Sequence, residues 1–315
     1  MSRFVCFVQR LGFLAVVAVL PTVADAQTTG IAVERMFFQS GPSAFYQVQG
    51  AEVAAPLSLW LHAGALVMQK PLTFQHQFTR ETLAVPVDHR VTLDVGAELG
   101  LWKERLSLRL GLPVAMWQNG DRLQRTGGEA EFADRPLRTS AVGDVRVGLR
   151  MRLTRVDSFW GVLASFDLTV PGGGQTDFVA TDGPTVMPTV VGYFRKGPVS
   201  AAVNVAARLA PTRQLYETTL QHSIEWGAAA SARFPVSRVG LALITEAVGF
   251  YYPSAAVYSQ ELRAGLRLAA GAWAVDVGGG GGFSVFAPPW RAFVSFRGVF
   301  QKRRVATCAE RPSAL

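Results

Sequence analysis

The sequence predicts an all-β fold, a transmembrane antiparallel up-and-down β-barrel of about 12 strands. Three observations predict it. Apolar and polar residues alternate with period two from residue 57 onward. Long and short connections between the apolar stretches also alternate. Most tryptophans fall at the ends of those stretches.

The composition agrees with a membrane-embedded β-chain. Of 315 residues, 49% are hydrophobic and only 17% charged, with a net charge of +8. Soluble domains carry roughly 25% charged residues. The 31 glycines favour turns and strands, and the length allows one large all-β domain.

The first residues read as a secretory signal peptide over 1–26. Arg3 and Arg10 form the basic start, Leu11–Leu20 is the apolar stretch, Pro21 breaks it, and Ala24–Ala26 fits a small-residue cleavage site. That stretch is too short to span a bilayer. Cys6 precedes it, so Cys308 alone remains in the mature chain from Gln27, excluding an intrachain disulfide and a cysteine-based metal site. No later run reaches ~18 apolar residues. The sequence therefore describes an exported chain that no helix holds in a membrane.

Residues 27–56, with Gly41-Pro42, Gly50 and Pro56, read as an irregular N-terminal periplasmic segment. The barrel is expected over 57–300, with strands near 57–69, 85–99, 104–117, 140–154, 159–170, 185–195, 199–209, 220–234, 239–251, 260–269, 273–284 and 290–300. Between them, 70–84, 118–139, 171–184, 210–219 and 252–259 are the longer connections. The stretches 100–104, 155–158, 196–198, 235–238 and 270–272 are short, and 287–289 breaks the rule. Outer-membrane barrels have long extracellular loops and short periplasmic turns. An even strand count then places both termini, including the short tail 301–315, in the periplasm.

The stretch Ala141–Leu153 sets the question of which face is which. Asp144, Arg146, Arg150 and Arg152 alternate with Val145, Val147, Leu149, Met151 and Leu153. A soluble sheet would turn the charges to water; a membrane barrel turns them to its lumen and the apolar face to lipid. The second strand repeats the pattern, with Arg90, Asp94 and Glu98 opposite Val91, Leu93, Val95 and Leu99. The third sets Arg105 and Arg109 opposite leucines, the tenth Glu261, Arg263 and Arg267, and the last Arg291 and Arg297. Further lumen candidates are Asp167, Arg208, Glu225, Arg233, Glu246 and Asp276. His89 departs from the pattern by lying on an apolar face. Trp60, Trp102, Trp117, Trp160, Trp273 and Trp290 sit where aromatic girdles would lie, whereas Trp226 falls inside a strand. A soluble β-sandwich would explain the alternation but neither the loop parity nor the tryptophans.

Several pieces resemble one family in their order. They are "AVERMFFQSGPSAFYQVQGAEVAAPLSLWLHAGALVMQKPL", "VDHRVTLDVGAELGLWKERLSLRLGLPVAMWQNGD", "VGDVRVGLRMRL" and "FDLTVPGG". Together they resemble the N-terminal barrel domain of certain OmpA-family envelope proteins, over roughly residues 31–300. The resemblance implies an outer-membrane location. Family members often carry a C-terminal peptidoglycan-binding domain, and the tail here is too short to form one.

Other chemistry finds little support. "PGGGQT" (171–176) lacks the Gly-Lys-Ser/Thr of a phosphate loop, and the glycines at 278–282 are not followed by a helix. They permit curvature or close approach within a strand. His62, His76, His89 and His222 have no metal-binding spacing. His222 and Ser223 lie on opposite faces of a strand, which excludes them as a base and nucleophile pair. Lys302–Arg304 reads as a surface charge cluster rather than a nucleic-acid site. No catalytic residue, metal or cofactor is expected. The expected partners are outer-membrane lipid, the barrel-assembly machinery and small anionic solutes, with no nucleic acid. Two readings of the lumen stay open: a narrow pore for small solutes, or a salt-bridged interior that closes a structural barrel.

Overall fold

A computed structural model describes residues 32, 35–75, 82–120, 137–173, 177–215, 218–236, 239–284 and 286–301. The expected signal peptide, His76, Lys302–Arg304 and Cys308 lie outside the described residues.

The strands are β1 (Leu59–Gln75), β2 (Thr82–Trp102), β3 (Leu106–Asn119), β4 (Ala141–Val142), β5 (Val145–Arg152), β6 (Trp160–Val170), β7 (Thr185–Lys196) and β8 (Val199–Arg208). They continue as β9 (Arg213–Leu215), β10 (Thr218–Leu220), β11 (Ser223–Val236), β12 (Val239–Tyr252), β13 (Val257–Ala270), β14 (Trp273–Gly282) and β15 (Trp290–Phe300). Twelve of them are staves of one closed antiparallel barrel. β15 returns to pair with β1, Leu59 opposite Phe300 and Gln69 opposite Trp290. Closure leaves no edge, so every stave's main chain is hydrogen-bonded within the wall, as a lipid environment requires. The short β9 and β10 form a separate hairpin in the β8–β11 loop.

Burial settles the faces. Along β5, Leu149 is 44% exposed while Arg150 is fully buried. The same inversion runs round the wall: Leu110, Leu262, Val277 and Phe296 are exposed, whereas Asp94, Glu98, Arg263 and Asp276 are buried. The apolar face points outward and the charged face inward, the arrangement of a barrel in lipid.

The staves follow the predicted strands, with local departures. The predicted strand 140–154 is broken by a bulge between β4 and β5. Val114 pairs with Val142 but Gly111 with Arg146, so one extra residue sits on the β4–β5 side. Pro113 lies opposite the bulge, where its missing N–H cannot extend the ladder. There Gly143 N–H bonds the Pro113 carbonyl and Asp144 accepts the Thr181 N–H at 2.9 Å. The β12–β13 connection is only 253–256, shorter than the sequence suggested, and β14 ends at Gly282, which lengthens the β14–β15 loop to 283–289. In the tight turns at 197–198 and 271–272, Gly197 and Gly271 both take φ of +58°, a region glycine enters without strain.

The placement of one segment differs from the expectation. The N-terminal segment 27–56 was expected outside the barrel, in the periplasm. Its described part from residue 35 is irregular, as expected, but lies inside the lumen. Met36, Phe45, Tyr46, Ala51 and Ala54 are completely buried, and Phe38 is buried with them. An aromatic-rich stretch of this kind gains more from burial against the inner wall than from exposure to water, at roughly 1.5–3 kcal/mol for each large apolar side chain. Trp60 is a second correction. It shares the inward parity of the buried His62 and Leu66, so it faces the lumen and not a lipid girdle.

The outward assignment of Leu149 has a direct consequence. Leu149→Arg is expected to cost about 2–4 kcal/mol in lipid vesicles and Leu149→Phe close to nothing. Denaturant unfolding in vesicles measures both; equal losses would mean that Leu149 does not face lipid.

Candidate functional site

The site is the lumen, and alternation along each stave positions its side chains. Successive even-numbered residues of β2 bring Arg90, Asp94 and Glu98 inward, and those of β5 bring Arg146, Arg150 and Arg152. Removed from bulk water, these charges are stable only if paired or hydrogen-bonded. Cross-wall pairs satisfy part of the need. Arg150 Nη1 lies 2.9 Å from Glu98 Oε2, both fully buried, and the Ser107 hydroxyl donates to Glu98 at 2.7 Å. Arg109 grips Asp167 through Nε at 2.7 Å and through Nη2. Arg146 reaches Asp94 Oδ1 at 2.5 Å and lies over the Phe37 ring. Arg263 and Arg291 share Glu261 at 2.7 and 2.9 Å. Arg267 and Arg297 share Asp276, each at 2.6 Å.

Residues 35–56 satisfy much of the rest, and mainly through their main chain. Asp94 accepts the Phe38 N–H at 2.9 Å. Glu246 accepts three successive N–H groups, from Tyr46, Gln47 and Val48, at 2.7, 3.0 and 3.2 Å. Arg267 and Arg297 both donate to the Ser43 and Phe45 carbonyls, at 2.6–3.2 Å. Arg150 donates to the Gly50 carbonyl at 2.9 Å. Carboxylates of the wall thus take N–H groups and guanidiniums take carbonyls. The segment folds back on itself, Gln39 N–H bonding the Tyr46 carbonyl at 2.7 Å, before it descends to β1.

Close packing completes the seat. Phe293 packs edge-on against Phe38 and Tyr46, with centroids 5.6 and 4.8 Å away. A Cβ placed on Gly64 would lie 2.3 Å from the Phe38 ring, and one on Gly161 2.7 Å from the Ala51 Cβ. Glycine at these inward positions makes room for the segment.

Not every sequence candidate joins this network. Arg105 precedes β3 and is half-buried at the short-turn end, where its carbonyl accepts the Arg152 N–H. Arg152 is buried and donates to the Arg155 carbonyl. Asp144 serves the bulge. His62, which had been considered only as a metal ligand, is a lumen residue hydrogen-bonded to Asp94 at 3.1 Å. His89 faces outward near the long-loop end, beside Asp88 at 2.7 Å. The inserted segment itself carries no periodicity that sequence could use.

Among the described residues, an arginine-lined cavity lies on each side of the segment. At the long-loop end, one is lined by Arg35, Arg109, Arg146, Arg208 and Arg263 with Asp167, Glu225 and Glu261. At the short-turn end, one is lined by Arg195, Arg233, Arg267 and Arg297 with Glu52. Arginine exceeds carboxylate in both.

No protein-family model matches the chain, and no curated protein sequence matches it. Solved structures do. The COG4313 outer membrane channel from Pseudomonas putida F1 superposes with a TM-score of 0.57 at 12% identity, over 79% of this chain and 98% of that one. The Ralstonia pickettii toluene transporter TbuX covers 88% of this chain and 100% of its own, with a TM-score of 0.37 at 8% identity. Salmonella typhi OmpF, in complex with daunomycin, gives 0.36 at 10% identity over 77% and 97%. At such identities the first likeness shows a shared fold, that of an outer-membrane β-barrel.

The Arg150–Glu98 pair gives a measurable coupling. Arg150→Leu leaves Glu98 buried without its guanidinium and is expected to cost about 3–5 kcal/mol. Arg150→Leu with Glu98→Leu should recover a large part of that loss. Unfolding of the single and double variants in vesicles measures this; additive losses would mean the two side chains do not interact.

Proposed function

We propose that the protein is a bacterial outer-membrane channel for small solutes whose resting lumen is closed by residues 36–56, and that it favours anions. The observation that carries this reading is the pair of arginine-rich cavities separated by a chain segment. A barrel closed by its own wall side chains would have no such division. Arginine-lined passages favour anions, and small anionic solutes are therefore the expected cargo. No catalytic role is assigned. The short turns and the tail are periplasmic in this reading, and outer-membrane lipid and the barrel-assembly machinery are the partners. The resemblance to OmpA-family N-terminal barrels supports the same location without implying attachment to the cell wall.

A closed structural barrel is the second reading. The complete burial of Phe45 and Tyr46, with the segment's main chain bonded to the wall, favours it. One experiment separates the two. Ala51→Cys with Gly161→Cys, in a Cys308→Ala background, can join the segment to β6 once the two Cβ positions, 2.7 Å apart on the present backbone, move out to the ~3.5–4.5 Å that a disulfide spans. In planar bilayers the oxidised protein should be silent and the reduced protein should conduct. The reversal potential should show a weak anion preference. That preference should fade with salt, as the Debye length falls from ~10 Å at 0.1 M to ~3 Å at 1 M. Silence in both states would establish the closed reading. Equal conductance in both would remove the segment as the gate, and cation selectivity would contradict the arginine excess.

A further inference from the structure

The cavity at the short-turn end has a lining of unusual chemical bias. Arg195 of β7, Arg233 of β11, Arg267 of β13 and Arg297 of β15 all contribute, against the single carboxylate of Glu52. Glu52 is engaged by the Tyr193 hydroxyl. Among the described residues Arg195 and Arg233 make no ion pair, and both are exposed. Arg267 and Arg297 share one carboxylate, Asp276, lying behind them. Trp60, another hydrogen-bond donor, lines the same cavity, and among the described residues its indole N–H has no partner. Donors therefore surround a space that holds far fewer acceptors.

Two of these arginines also hold the inserted segment. After Asp276, the remaining contacts of Arg267 and Arg297 are to neutral carbonyls, those of Ser43 and Phe45. Ser43 and Ala44 border the cavity themselves. An anionic oxygen adds to the guanidinium's hydrogen bond a Coulomb attraction that a neutral carbonyl does not offer, and can take two parallel N–H groups at once. An anion entering this cavity would therefore compete with the segment for the same N–H groups.

We propose that the short-turn cavity is a binding site for a small oxyanion bearing two or more negative charges, a phosphate or a polycarboxylate, and that its occupancy loosens residues 43–45 from the wall. Arg195 and Arg233 attract and hold the anion, while Arg267 and Arg297 exchange carbonyls for it. With Glu52 and Asp276 counted, the four arginines leave an excess of two positive charges, which a single negative charge would only half compensate, and this sets the valence. The proposal concerns binding and does not require that the protein conduct.

The test uses the full-length protein folded in detergent. Calorimetric titration with pyrophosphate and with citrate should give saturable binding by one or both, against a chloride background that gives none. Arg195→Gln with Arg233→Gln touches neither segment carbonyl, and heat-modifiable gel migration confirms its fold. This variant should bind about tenfold more weakly. In a Cys308→Ala background, Ala44→Cys should react with a small maleimide about tenfold faster when the anion is present, because the buried position becomes reachable. Heat no different from chloride, or unchanged affinity in the double variant, would overturn the site. Binding without faster labelling would overturn the competition with the segment. Neither result depends on conductance, so failure of the channel reading is registered separately.

Discussion

The structure depends on one constraint: charges turned into a closed barrel must find partners there. Lipid outside demands an apolar outer face, and the two-residue period of a strand then sends the charged residues inward. Their desolvation is costly unless each is paired or hydrogen-bonded. The wall pairs some of them with one another, as in Arg150 with Glu98. Others, Glu246 above all, are completed by the main chain of residues 35–56. The segment is held by the same groups that would otherwise be stranded.

That arrangement links stability to permeability. A lumen crowded with charges but without the segment would need water or solute to satisfy it. The segment performs this role near the middle of the barrel and leaves a cavity at either end. Its main-chain contacts are hydrogen bonds to charged groups, each worth roughly 1.5–3 kcal/mol, and water or an anion can replace them. The aromatic cluster of Phe38, Tyr46 and Phe293 opposes release by burying apolar surface. The balance of these two terms sets how readily the lumen opens.

The wall was legible in the sequence because a single rule, alternation, governs it. Leu149 and Arg150 state the rule in adjacent letters, and each stave repeats it. The bulge at Gly143-Asp144 was not legible, since it depends on Pro113 of a neighbouring strand, where no N–H is available. Nor was the position of residues 35–56. An irregular segment has no period, and its contacts fall on residues up to 254 positions away, as from Ser43 to Arg297. A signal was present all the same. Met36–Tyr46 holds four aromatic residues, too apolar a stretch to lie in water. Inward glycines such as Gly64 are a second trace, intelligible only once Phe38 is known to lie against it. Trp60 misled because position at a strand end does not specify a face.

The central claim is that the main chain of this segment is bonded to the charges of the barrel wall. Amide hydrogen exchange of the folded protein tests it most directly, comparing Tyr46, Gln47 and Val48 in the intact chain and in Glu246→Gln. The account predicts that these three amides exchange as slowly as those of the staves, and that Glu246→Gln accelerates them selectively while leaving the staves unchanged. Exchange of the three amides in the intact chain at the rate of an unstructured peptide would contradict it.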